Sequence, residues 1–180
     1  MSGFGDQGQF PSAPAAQTRF ASVRNRRLQI GVVGASVCDG DTARLAYEVG
    51  AEIARRGAVL LSGGLGGVME AACKGAREQG GLTVGILPGE SAADANPFVD
   101  LTIVTDMGHA RNVILVRSCD AVIAVAGGYG TLSEIAIARK TGIPCIGLRS
   151  WDLRGEIPSA RNATEAVEWA LQRARQRGGP

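Results

Sequence analysis

Along the chain, short unbroken apolar runs alternate with longer stretches in which apolar positions recur every three or four residues. Runs of the first kind read as strands buried on both faces, and stretches of the second as amphipathic helices. Leu28 to Val33 is the first strand, Gly34-Ala35-Ser36 a turn, and Asp41 to Arg56 a helix with Leu45, Val49 and Ile53 on one side, ended by Gly57. Ala58 to Leu61 follows as a second strand, then a glycine loop from Ser62 and a helix to about Gln79. Leu82 to Leu87 is a third strand, Pro88-Gly89 a turn and Ser91 to Pro97 an irregular loop. Leu101 to Thr105 predicts a fourth strand, and Asp106 or Gly108 opens a helix through Cys119 with Val113 to Val116 inside. Ala121 to Ala126 is strand five, its helix ends near Gly142, and Pro144 to Leu148 is strand six. A loop follows Trp151, and Asn162-Ala-Thr-Glu165 reads as a capping box for a last helix that turns Val167, Ala170, Leu171 and Ala174 inward.

This alternation predicts βαβ units with right-handed crossovers. The expected fold is α/β, a Rossmann-like three-layer αβα sandwich with a mostly parallel sheet of roughly six to seven strands. Residues 27–180 are read as one domain, and residues 1–26, rich in Gly, Gln, Ser, Ala and Pro, as a disordered tail. Ligands of such folds lie at the carboxyl ends of the strands.

The stretch with most chemical content runs from Ala121 to Glu134. Its apolar strand breaks into Gly127-Gly128-Tyr129-Gly130-Thr131, where glycine permits positive φ or close approach of a ligand, and then a helix begins. Free amides at a helix start carry partial positive charge, so this loop is a candidate phosphate cradle. A plainer reading stands beside it: Thr131-Leu-Ser-Glu134 also fits a capping box in which threonine and glutamate only satisfy backbone donors. A second glycine loop, Ser62-Gly63-Gly64-Leu65-Gly66-Gly67, is expected to close the opposite wall, with Gly34 and Ser36 at the first turn.

Composition narrows the possibilities. The 45% hydrophobic content includes only 4% aromatic residues beside 26 glycines, which fits small aliphatic cores and many tight strand-to-helix turns. Net charge is +2, from 19 basic and 17 acidic residues, and no basic run is interleaved with aromatics, so nucleic acid is not an expected partner. Cys38, Cys73, Cys119 and Cys145 are widely spaced and His109 is the sole histidine, which argues against a metal site and for a reducing, cytoplasmic location. No apolar run approaches a membrane span.

Familiar nucleotide motifs do not fit. The first turn lacks G-x-G-x-x-G and strand two ends without a carboxylate, which disfavours NAD or NADP; no lysine follows either loop as a Walker A motif requires. Pyridoxal chemistry needs a Schiff-base lysine, and Lys74 and Lys140, the chain's two lysines, both fall where a solvated helical cation is the default.

Three segments together are distinctive. Ser62-Gly-Gly-Leu-Gly-Gly-Val-Met69, Met107-Gly-His-Ala-Arg111-Asn112 and Gly127-Gly-Tyr-Gly-Thr-Leu-Ser-Glu134 resemble, in order and spacing, the signatures of the LONELY GUY family, long mislabelled lysine decarboxylases. The resemblance extends over about Leu28 to Ser150 and is strongest to the branch containing molybdenum-cofactor carrier proteins. It implies a Rossmann-like oligomer, a homodimer or homotetramer, that binds a small phosphorylated ligand such as an AMP-like nucleotide or the molybdenum cofactor and requires no other cofactor. Active members are phosphoribohydrolases, which release a base from a nucleoside 5′-monophosphate; the alternative is a non-catalytic carrier. By the same resemblance Arg111 and Glu134 match the essential arginine and glutamate. Physically, a carboxylate can stabilise the cationic ribose of N-glycoside cleavage, and a guanidinium can grip phosphate or a ribose hydroxyl. Three departures stand out: Ala126 replaces the family's proline, Asn112 its lysine and Glu70 its glycine.

Overall fold

In the computed structural model, which describes residues 26–177, the expected alternation is realised. The strands are β1 (Gln29–Gly34), β2 (Val59–Ser62), β3 (Thr83–Leu87), β4 (Leu101–Val104), β5 (Ala121–Val125), β6 (Cys145–Leu148) and β7 (Ser159–Ala160), all parallel in the order β4-β3-β2-β1-β5-β6-β7. The helices are α1 (Gly40–Arg55), α2 (Val68–Glu78), α3 (Arg111–Arg117), α4 (Tyr129–Thr141) and α5 (Ala163–Arg177). The tail read over residues 1–26 lies outside the described residues except for Arg26, whose Nη1 donates to Asp120 Oδ2 at 2.8 Å. Asp120 also accepts from the Gln29 amide, so Arg26 fastens the chain where β1 and β5 begin.

Alternate residues of each central strand enter two cores. Ile30, Leu60, Ile123 and Val125 meet Leu45, Val49 and Ile53 of α1, Ala72 of α2 and Val167 and Leu171 of α5. On the other face Val33, Leu61, Val122 and Ala124 meet Leu115 and Val116 of α3 and Ile135 and Ala138 of α4. Helices α1 and α2 approach through glycine: a Cβ at Gly50 or Gly75 would collide with backbone of the facing helix. The apolar runs are continuous because both faces of the sheet are covered.

Several boundaries differ from expectation. The helix expected from Asp106 or Gly108 through Cys119 is a 3-10 turn (Gly108–Ala110) followed by the short α3, and Val113 and Ile114 face outward, 44% and 36% exposed, instead of inward. The loop over 91–97 contains a 3-10 turn at Ala92–Asp94. The loop after Trp151 includes β7, a strand too short to leave a pattern. Asn162 Oδ1 caps α5 by accepting from the Glu165 amide at 2.9 Å, but Glu165 answers to Arg161 N, one residue earlier than a capping box requires.

Candidate functional site

Strand β1 has neighbours on both sides, β2 and β5, whose connections run to opposite faces of the sheet, so a crevice opens beyond the carboxyl ends of β1 and β5. A pocket of about 290 Å³ lies there, walled by Gly34, Ala35 and Ser36 after β1, Met69 of α2, His109, Arg111 and Asn112 at the start of α3, and Gly128, Gly130, Thr131 and Glu134 of α4. Thus Gly34, Ser36, Asn112, Arg111, Glu134, Gly128, Gly130 and Thr131, all candidates from the sequence, line one pocket.

The loop after β5 supplies its open floor. Ala126 and Gly127 both have left-handed backbones, φ +46° and +111°, and turn the chain sharply into α4. Gly127 also makes room for Thr131, whose side chain a Cβ there would strike, whereas a Cβ at Gly128 or Gly130 would meet nothing within 4 Å. Backbone is therefore bare to the pocket at two positions. Because α4 starts at Tyr129, the amides of its first turn have no intrahelical acceptor.

Two expectations at this loop are corrected. Thr131 does not cap the helix: the N-cap is Gly128, without any side-chain hydrogen bond, since the two left-handed residues begin the helix three positions earlier. Thr131 Oγ1 is instead buried without a partner, and Glu134 serves no capping box. Tyr129 is outside the pocket lining; the residue is 84% exposed and its ring tilts against Trp151, centroids 5.9 Å apart.

The second glycine loop is not the opposite wall. Ser62 is fully buried, with Oγ accepting from the Gly64 amide at 3.1 Å, and none of Gly63, Gly64, Gly66 and Gly67 lines the pocket. They are packing positions: a Cβ on Gly63 would collide with Arg111 and Met69, on Gly64 with Leu87, and on Gly67 with Ala35 and Ser36. Asn96 latches this loop, its Nδ2 donating to Gly64 O at 3.1 Å and Leu65 O at 2.9 Å. An asparagine before proline in a loop gave no distinctive signal of that task.

Arg111 lies in the space left by Gly63, only 6% exposed, with its Nε buried and unpartnered. Burial lowers its pKa while the charge of Glu134 raises it. Glu134, 7% exposed, has its carboxyl pushed up to about 7 by desolvation, against the pull of Arg111. Asn112 Nδ2 donates to Ser133 Oγ at 3.0 Å, and Ser133 Oγ donates to Gly130 O at 2.7 Å, joining α3 to the first turn of α4. His109 is exposed at the rim. A larger groove of about 710 Å³ on the outer side of α4 is spanned by the Arg139–Glu156 ion pair. Among the described residues no group of three acidic, histidine or cysteine side chains is placed to hold a metal, and no helix is long and apolar enough to cross a membrane.

The fold and site define a Rossmann-like protein with an uncapped helix start beside a buried arginine and carboxylate. The sequence profile of the SLOG cluster4 family matches residues 27–176, and the chain belongs to that family, which upholds the resemblance drawn from its three motifs. It is 62% identical over 115 residues to an uncharacterized protein of Archaeoglobus fulgidus, covering 64% of this chain and 76% of that protein. It is 41% identical over 106 residues to a cytokinin riboside 5′-monophosphate phosphoribohydrolase of Mycobacterium tuberculosis, spanning 56% of each. Among solved structures, the molybdenum cofactor binding protein of Rippkaea orientalis superposes with a TM-score of 0.78 at 39% identity, over 82% of this chain and 98% of that one.

Proposed function

We propose that the pocket binds a phosphorylated, nucleotide-like ligand and that the chain hydrolyses the N-glycosidic bond of a nucleoside 5′-monophosphate. One observation carries this reading. The two buried side-chain polar atoms without a partner among the described residues, Arg111 Nε and Thr131 Oγ1, both belong to residues of the pocket wall. Each such orphan costs about 1–3 kcal/mol, a cost that an incoming oxygen would relieve. The phosphate lies over the Gly128–Thr131 backbone, where the α4 dipole and Arg111 favour negative charge. The ribose then reaches Glu134, whose ionised form stabilises positive charge on the sugar and orients water; a carboxyl with pKa about 7 changes protonation near neutral pH, as an acid–base group should. The reaction as proposed uses water and the chain's own residues, with no further cofactor.

Incubation with AMP should release adenine and ribose 5-phosphate. Failure to release base from any purine or pyrimidine monophosphate would end the hydrolase reading. A second reading, a non-catalytic carrier of the molybdenum cofactor or a related phosphorylated pterin, draws support from the structural match over nearly the whole of the Rippkaea orientalis protein. Tight pterin binding without base release would decide for it.

We also propose that a second copy of the chain, in a homodimer or homotetramer, covers one face. Leu101 and Ile103 of β4 continue the face that bears α3 and α4, in register with Val84 and Ile86. They are 54% and 47% exposed, close in sequence to exposed Met107, Val113 and Ile114. Two helices cover that face and three the other, so the apolar edge lacks a layer that a second α3–α4 pair can supply. Sedimentation of Ile103→Glu should give a monomer from an oligomeric parent; a monomeric parent would end this idea.

A further inference from the structure

The loop that forms the cradle is held from behind by the chain that leaves β6. Ser150 Oγ donates to Ala126 O at 2.8 Å, and Trp151 Nε1 donates to Gly128 O at 3.2 Å. The Ala126 amide in turn donates to Leu148 O at 3.0 Å. Neither Ser150 nor Trp151 lines the pocket, so the Ala126 carbonyl is drawn toward a group outside it, while the Gly128 carbonyl is shared between Trp151 and the Leu132 amide of α4, which donates to it at 3.0 Å. This matters because of peptide geometry: in a turn where successive peptides can flip, fixing which way the carbonyls point fixes which way the amides point.

Strain at both strand ends supports a positioning role. Ala126 holds φ +46° after β5, and Arg149 holds φ +52° after β6, each without glycine's freedom. Such backbones persist only where surrounding contacts over-determine them. Trp151 adds a second contact, its ring tilted against Tyr129 at the first residue of α4.

We propose that Ser150 and Trp151 are positioning residues which hold the Ala126–Gly130 loop with its amides toward the ligand's phosphate. The proposal rests on the phosphate-cradle reading above. The double variant Ser150→Ala/Trp151→Phe deletes both donors while keeping a ring against Tyr129. In the ligand-free protein, amide exchange at Gly127–Leu132 should accelerate while that of β5 is unchanged. Calorimetric affinity for inorganic phosphate and for AMP should fall about 25-fold, two hydrogen bonds at about fivefold each, with affinity for adenosine unchanged. Ser150→Thr, which keeps the hydroxyl, should match wild type.

Loop exchange and phosphate affinity equal to wild type in the double variant would overturn the proposal. So would an equal loss for AMP and adenosine, the mark of general loosening. A parent that binds phosphate but releases no base overturns hydrolysis alone; a parent that binds no phosphate overturns the cradle and this proposal with it.

Discussion

Two glycine loops flank β1, one after β2 and one after β5, and each leads into a helix, yet they do different work. The loop after β2 is consumed internally. The first amide of α2, on Val68, donates to Ala35 O at 3.0 Å, the carbonyls of Gly64 and Leu65 accept from Asn96, and Glu70 places a carboxylate in the first turn. The dipole of that helix start and its first donor are thus answered within the protein. The loop after β5 leaves Gly128 and Gly130 facing open space, with an unpartnered Thr131 hydroxyl and Arg111 Nε nearby. Glycine in the first loop permits packing, including the packing of Arg111 against Gly63; in the second it permits access. The difference lies in the surroundings of each glycine.

The comparison breaks most decisively at Glu134. If the α4 loop is the reactive one, Glu134→Gln should lower base release by roughly 10²–10⁴-fold with AMP affinity largely kept. Retained turnover would remove the assigned role. The same variant tests the buried charge. A carboxyl whose folded pKa is about 7, against an ordinary 4.5, contributes stability below the ordinary value that is lost as pH rises through 7. The variant should therefore exceed wild type in thermal stability at pH 8, by an amount on the order of 3 kcal/mol, and lose that advantage at pH 4. A pH-independent difference would mean that the carboxyl titrates normally.

Ala126 sharpens the contrast at the backbone. Proline cannot reach φ +46° and would also delete the amide that donates to Leu148 O, so Ala126→Pro should cost about 3 kcal/mol or more in denaturant unfolding. An unaffected protein would mean the loop takes the path a proline permits. Substituting alanine for glycine in each loop is the next step. Gly67, at φ +63° with its Cβ position against Ala35 and Ser36, should lose roughly 2–3 kcal/mol as Ala; Gly128, at φ −103° and facing space, should lose under about 0.5 kcal/mol while AMP binding weakens. Equal stability losses would erase the distinction between the loops.

Much of this was legible beforehand. The run from Ala121 to Val125 reads as a doubly buried strand because Val122 and Ala124 serve one core and Ile123 and Val125 the other, and β1 and β2 follow the same logic. Arg111, Glu134, Gly128 and Thr131, singled out from motif and chemistry together, line one crevice. The role of each glycine was not legible, since Gly63 and Gly128 differ only in what the fold sets against them. The start of α4 was misjudged because threonine at a helix start suggests a cap, while a left-handed alanine, which nothing in sequence advertises, moved the start to Tyr129. Asn96, Ser150 and Trp151 act through carbonyls distant in sequence, and no local pattern marks such partners.

The smallest expected effect bears most directly on the ligand. Thr131→Val replaces a buried, unpartnered hydroxyl with a methyl of similar shape, so the folded protein loses a liability and should gain up to about 1 kcal/mol. If that hydroxyl is kept for a phosphate oxygen, AMP affinity should fall several-fold while adenosine affinity holds. A gain in stability with no loss of AMP affinity would make Thr131 a packing residue beneath Gly127, and the open loop would have to bind its guest through backbone and Arg111 alone. Loss of both stability and affinity would mean that the hydroxyl already has a partner, such as an ordered water, and that Arg111 Nε is the single vacancy the ligand fills.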